Sequence, residues 1–187
     1  MRILVTGMNG QVGRSMLDLD GQDGHEIIGL SRQQFDLTKP EEFDRIVDQL
    51  EPDAIVNAAA YTAVDKAEDE PDLAHLINAV APGVMASVAA KSRLSFIQIS
   101  TDYVFDGLKG KPYNKSDHAN PVNIYGQTKF FGETAVQNNH DQALILRTSW
   151  VFSQYGRNFL KTIYVMLNDH QKFKVVDDQT GTPTYAP

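Results

Sequence analysis

Three glycines spaced three residues apart, Gly7, Gly10 and Gly13, stand directly behind the short apolar run Arg2-Ile3-Leu4-Val5-Thr6. The run reads as a buried strand and residues 11–19 as a helix, so the glycines occupy a strand–turn–helix junction. At such a junction Gly7 permits a tight turn, Gly10 lets the backbone approach a pyrophosphate, and Gly13 allows the helix to pack closely on the strand. The spacing is G-x-x-G-x-x-G, not the commoner G-x-G-x-x-G. A ligand-free glycine turn would show the same letters, but the strand-to-helix context favours dinucleotide binding.

The rest of the chain repeats the strand–helix alternation. Further strands are expected over 26–30, 53–57, 94–100, 143–148 and 173–176. Helices are expected over 41–50, 71–91, 125–137 and 158–168, with Pro40 and Pro71 placed where a helix start tolerates proline. The strands are short and nearly continuously apolar, the pattern of strands buried on both faces. The fold class implied is α/β: a Rossmann-type, doubly wound parallel sheet with helices on both faces. We expect residues 1–150 to form an NAD(P)-binding domain carrying the catalytic residues. Residues 151–187 then hold the last strand and helix elements and the start of an incomplete substrate-binding region, because the chain stops on loop-like residues after Asp178.

Composition narrows the chemistry. The chain has 187 residues, 42% hydrophobic and 22% charged, which suits one folded domain. A net charge of −7 without a basic block argues against nucleic acid or an anionic membrane as partner. There is no cysteine, which removes disulfides, thiolate metal sites and cysteine nucleophiles. His25, His75, His118, His140 and His170 are scattered without metal-ligand spacing, so no metal site is expected. No apolar run is judged long enough to span a membrane, and the N-terminus lacks a signal-peptide layout. The sequon at Asn114 thus has no secretory context, and a cytoplasmic location is expected.

Strand ends supply the remaining cofactor residues. The second strand ends Gly29-Leu30-Ser31-Arg32, with no carboxylate at its tip. Ser31 and Arg32 suit the 2′-phosphate of NADPH better than the 2′-hydroxyl of NADH, although NADH stays open. Asp36 and Leu37 follow, placed to border the adenine. After the third strand, Ala58, Ala59, Ala60 and Tyr61 are mostly small, so backbone can approach the cofactor there.

A second constellation lies downstream. Tyr125 and Lys129 are four residues apart on one helix and so share a face. An ammonium beside a phenol would ease its deprotonation and make it a proton-transfer group. The fourth strand ends Ser100-Thr101-Asp102-Tyr103, at the sheet end where ligands bind in open parallel sheets. Thr101 and Tyr125 could then converge on a carbonyl oxygen that gains charge as hydride reaches its carbon. Asn78, midway along the long helix, reads equally as a backbone-bonding or a solvent-facing residue.

Together these residues resemble the extended short-chain dehydrogenase/reductase family. Within it they resemble the branch that reduces the 4-keto group of a dTDP-deoxyhexulose to give dTDP-L-rhamnose. The segments carrying the likeness are Gly10-Gln11-Val12-Gly13, Val56-Asn57-Ala58-Ala59-Ala60, 62–68, Ser100-Thr101-Asp102-Tyr103-Val104-Phe105, Tyr125-Gly126-Gln127-Thr128-Lys129, Arg147-Thr148-Ser149-Trp150 and 179–184. The resemblance implies Thr101, Tyr125 and Lys129 as the catalytic set. It implies Gly10, Gln11, Val12, Asp36, Leu37, Ala60, Tyr61 and Thr62 along the cofactor, with Thr101, Asp102, Val104 and Trp150 at a dTDP-linked sugar. Sugar-nucleotide dehydratases of the wider family carry a glutamate where Tyr103 stands, so ketone reduction fits better than elimination. The family also holds epimerases and a non-catalytic, NADP-binding regulatory subunit of methionine adenosyltransferase, which are the alternatives. Some members dimerise through magnesium held by a first-helix glutamate. Arg14-Ser15 stands there, so a homodimer is expected to lack that metal bridge.

Overall fold

The computed structural model describes residues 1–170, 172 and 174–187. Five parallel strands form its centre: β1 (Arg2–Thr6), β2 (Glu26–Leu30), β3 (Ala54–Asn57), β4 (Ser95–Thr101) and β5 (Leu144–Thr148), in the order β2-β1-β3-β4-β5. The order reverses between β1 and β3, so the two loops leaving those strands diverge and open a crevice at the carboxyl edge. Alternate side chains feed two cores. Leu4, Ile55 and Phe96 face one layer with Phe43, Met85 and Val136, while Val5, Val56 and Ile97 face the other with Met16 and Leu17. Burial on both faces explains the unbroken apolar strands.

The layer on Val5 is α1 (Gln11–Leu17), and the layer on Leu4 includes α2 (Phe43–Leu50). A short helix not expected from the sequence, α3 (Val64–Ala67), precedes α4 (Pro71–His75). A π-helical turn, Leu76–Val80, then joins α4 to α5 (Ala81–Lys91). The stretch Pro71–Lys91 is in fact long and apolar enough to cross a membrane, at 21 residues and mean hydropathy 1.5, against the sequence expectation. Its apolar side is used inside the fold instead: Ala81, Met85, Ala86 and Ala89 are buried in the main core.

Helix α6 (Ile124–Asn139) follows β4, and β5 closes the sheet. Beyond it come β6 (Val151–Phe152), α7 (Phe159–Asn168) and β7 (Thr184–Tyr185). β6 and β7 pair in parallel as a separate two-stranded sheet. The strand expected over 173–176 does not form: residue 173 lies outside the described residues, and 174–176 carry no strand.

Candidate active site

A row of buried polar side chains crosses the sheet near its carboxyl edge. Thr6 donates to Asn57 Oδ1 at 2.6 Å, and Asn57 donates to Gln98 Oε1 at 2.8 Å. These bonds satisfy polar groups that burial would otherwise penalise and tie β1, β3 and β4 together just beneath the crevice.

The glycine turn rests on the loop after β3. Gly7 has φ +72, and a Cβ there would sit 2.8 Å from Ala59 N and 2.9 Å from Ala58 O. Gly13 lies against the Gly7 carbonyl with no room for a Cβ. Gly10 is exposed, and the first turn of α1, which includes Val12, has no side-chain cap. The bare turn therefore suits a phosphorylated ligand. Ala60 is partly covered and Thr62 exposed. Tyr61 donates from its hydroxyl to Glu70 at 2.7 Å, a bond that raises the phenol's pKa.

Of the remaining cofactor candidates one needs correction, Leu37, while the others make contacts of their own. The Gln11 side chain does not border the turn's open side; its amide bonds Val151, Ser153 and Asn158. Leu37 is buried in the main core with Leu30, Phe35 and Phe43, because its apolar side chain is worth more there than at a polar rim. At the β2 tip, the Ser31 hydroxyl is bonded to Gln34 Oε1 at 2.8 Å. Arg32 is exposed and faces Asp36 across 3.6 Å, while Asp36 takes the Thr38 amide at 3.0 Å, which lowers its pKa first, with Arg32 adding to that.

At the other end, backbone contact positions α6. A Cβ on Gly126 would overlap the Tyr103 carbonyl, and one on Gly132 would overlap the Asn78 carbonyl. Asn123 caps the helix by accepting from Gly126 N at 2.8 Å. The helix thereby sets Tyr125 beside the end of β4, close enough to Thr101 for that residue to act on its phenol. The ring meets Tyr103 edge to face with centroids 5.4 Å apart. Thr101 accepts from Tyr103 N at 3.2 Å and donates to Asp102 Oδ1 at 3.1 Å. Burial raises the Asp102 carboxyl, against the Thr101 bond.

Lys129 departs from expectation. Its Nζ donates to the Ile99 carbonyl at 2.7 Å and does not lower the phenol. Burial instead raises Tyr125, Thr101 opposes it, and Asp102 and Tyr103 push the same way as burial. Burial also brings Lys129 down to about 8, with Glu133 pushing back. A four-residue spacing shares a face, yet a long side chain chooses its own hydrogen-bond partner.

One sugar-side expectation also changes. Val104 is fully buried, so its side chain belongs to the interior. Trp150 is 40% exposed at φ +48, with its indole edge to face on Phe159 at 5.3 Å. Among the described residues, no ring contact or hydrogen bond joins it to Thr101 or Tyr125.

Two further clusters appear, one around Asn78, whose role the sequence left open, and one around Glu133, which the sequence did not single out. Asn78, buried in the π turn, accepts from Tyr61 N at 2.9 Å and donates to Tyr61 O at 3.1 Å and Thr128 Oγ1 at 3.2 Å. It fastens the loop after β3 to α6; an amide amid an apolar helix was the available signal. Buried Glu133 accepts from Ser100 Oγ at 2.5 Å and from Arg147 Nε and Nη2. An arginine within the apolar strand Leu144–Thr148 was its signal.

The RmlD substrate binding domain model matches residues 1–187. A dTDP-4-dehydrorhamnose reductase of Burkholderia thailandensis is 45% identical over 100% of this chain and 62% of its own length. The crystal structure of a dTDP-4-dehydrorhamnose reductase from Clostridium acetobutylicum superposes with TM-score 0.94 at 41% identity, covering 100% of this chain and 66% of that one. The Bacillus anthracis dTDP-4-dehydrorhamnose reductase, solved in complex with NADP, gives TM-score 0.95 at 36% identity over 99% of this chain and 66% of that one. The chain thus spans less than two thirds of the length of these relatives. With the family model covering every residue and the same fold in both crystal structures, the chain belongs to the RmlD substrate binding domain family.

Proposed function

We propose that this chain carries the dinucleotide turn and catalytic hydroxyls of an NADPH-dependent reductase of a dTDP-linked 4-keto-6-deoxyhexose, yielding dTDP-L-rhamnose. The observation that carries the reading is the placing of buried Tyr125 against Tyr103 and beside Thr101 at the carboxyl end of β4, the sheet edge that also bears the glycine turn. The names of the relatives and the NADP of the Bacillus anthracis complex support the substrate and cofactor.

Gly7, Gly10, Val12 and Gly13 would hold the pyrophosphate, with Ala58, Ala59 and Ala60 beside it and Ser31, Arg32 and Asp36 toward the adenosine end. Arg32 is exposed and only loosely paired, which leaves it able to meet a 2′-phosphate; NADH remains the lesser choice. When bound, the dinucleotide supplies hydride. The chain supplies the proton and the polar field. Tyr125 keeps its proton at neutral pH because burial raises it, which suits a donor to the new alkoxide oxygen. Thr101 offers a second hydrogen bond to that oxygen. Lys129, anchored on the Ile99 carbonyl, keeps further N–H donors for ribose hydroxyls. Asp102 and Trp150 are the residues left to meet the sugar nucleotide once Val104 is removed from the set.

The division at residue 150 belongs to this reading, as does a cytoplasmic location, where reduced nicotinamide cofactors are drawn. A homodimer is compatible with it, without a magnesium bridge through Arg14, whose guanidinium lies over the Tyr155 ring at 5.5 Å. The test is NADPH-dependent turnover of a dTDP-4-keto-6-deoxyhexose by the full-length protein, wild type against Tyr125→Phe. Loss of 10²- to 10⁴-fold on removing the phenol hydroxyl is expected. A wild type without turnover, or an unimpaired Tyr125→Phe, defeats the catalytic reading; NADP binding without turnover would favour the regulatory alternative.

A further inference from the structure

Helix α1 does more than continue the glycine turn: its outer surface carries the segment 151–158. The Gln11 side chain donates from Nε2 to Val151 O at 3.1 Å. Its Oε1 accepts from Ser153 Oγ at 3.1 Å and from Asn158 Nδ2 at 2.9 Å. Both lone pairs of the amide oxygen are thereby used, along with one of its two N–H groups. One and two turns on, the Arg14 guanidinium covers the Tyr155 ring, whose hydroxyl meets both oxygens of Asp18 at 2.7 and 2.8 Å.

Each partner of Gln11 has a structural task. Asn158 caps α7, accepting from Lys161 N at 2.9 Å, and also bonds Ser153 O at 2.9 Å. Ser153 is buried and accepts from Tyr155 N at 3.0 Å. Val151 directly follows Trp150, a bulky residue at φ +48. Left-handed backbone at such a residue persists only where its flanks are held. On one flank the hold is the Gln11 amide on Val151. On the other it is Ser149, which donates to Thr182 O at 2.5 Å.

Gln11 is also the residue after Gly10, within the turn that would take a pyrophosphate. Its main chain belongs to the dinucleotide site and its side chain to the segment behind Trp150. We infer that Gln11 is a positioning residue through which a nicotinamide dinucleotide on the glycine turn orders segment 151–158, and with it Trp150 and the start of α7. The inference rests on the dinucleotide reading above. Its physical basis is shared ordering: a ligand that immobilises the turn removes freedom from the Gln11 backbone, so less remains to be lost when the side chain holds its three partners. Gln11→Glu keeps an acceptor for Ser153 and Asn158 but sets a carboxylate against the Val151 carbonyl. Gln11→Ala removes all three contacts.

The experiment is amide hydrogen exchange on the full-length protein as wild type, Gln11→Ala and Gln11→Glu. Each is measured without NADPH and at ten times its own Kd for NADPH, determined beforehand by fluorescence titration. NADPH should slow exchange in 151–158 several-fold in the wild type, partly in Gln11→Glu, and not at all in Gln11→Ala. Equal NADPH protection in Gln11→Ala overturns the inference, and so does a wild type whose segment exchanges alike in both states, the outcome for a purely structural strap. Failure of the dinucleotide reading shows separately, as no NADPH titration in the wild type, and removes the inference with it.

Discussion

Arg147 grips both oxygens of Glu133, with Nε 2.9 Å from Oε1 and Nη2 2.6 Å from Oε2. The pair links β5 to α6, and Ser100 brings in β4. Its carboxylate is also the anion that supports the buried Lys129 charge. Glu133→Leu leaves Arg147 and Lys129 without it, and should destabilise by about 3–5 kcal/mol in urea unfolding. Arg147→Met added to Glu133→Leu should recover a large part, because uncompensated charge is the main penalty. Additive losses would show that the pair acts only through packing.

Gly132 and the Asn78 carbonyl leave no space between α6 and the π turn. Gly132→Ala should therefore push the helix outward despite alanine's better helix propensity, lowering stability by about 1–3 kcal/mol. Thermal unfolding measures it; an unchanged or raised Tm would mean the two elements slide freely.

Lys129 makes stability depend on pH in a defined direction. Its pKa falls from an ordinary 10.5 to about 8 in the fold. Between those values the unfolded chain binds more protons, so stability rises with pH there and the penalty of the buried charge is complete below about pH 8. Against Lys129→Met, wild type should gain roughly 2 kcal/mol between pH 7.5 and 10, at ~1.4 kcal/mol per unit of pH. Parallel stability curves for the two proteins would refute a buried, depressed ammonium.

Arg32 bears on cofactor choice. Arg32→Asp should lower the NADPH/NADH affinity ratio by tenfold or more, since a bidentate phosphate contact becomes a repulsion. Paired titrations of each dinucleotide read it out, and an unmoved ratio removes Arg32 from the site.

The sheet and the glycine turn were legible because their signals are local: five apolar runs, a strand followed directly by glycines, and proline at helix starts. The π turn at Leu76–Val80 was not, since one extra residue per turn leaves an apolar helix looking apolar. β6 and β7, two residues each, are too short to show a period. At the site, Thr101 and Tyr125 were singled out from strand-end position and helix spacing, and they lie near each other at the end of β4. Lys129 was placed on the right helix face but given the wrong partner, because spacing says nothing about where four methylenes end. Leu37 was assigned to the cofactor from its position after β2 as well as by likeness, and Val104 to the sugar by likeness, although their own apolarity marked them as core. The side-chain contacts of Gln11 were hidden for a plainer reason: its partners arrive about 140 residues later, outside any local window.

That separation has a consequence for how the protein is made. The glycine turn and β1 leave the ribosome well before segment 151–158, and β1 can pair with β2 as soon as residues 26–30 emerge. The residues that take up the Gln11 amide emerge only after the whole five-stranded sheet, on the order of ten seconds later at ~5–20 residues per second. During that interval the Gln11 side chain has only water to take up its amide. The hold on segment 151–158 is therefore a late folding event, made only once the strands around the glycine turn exist.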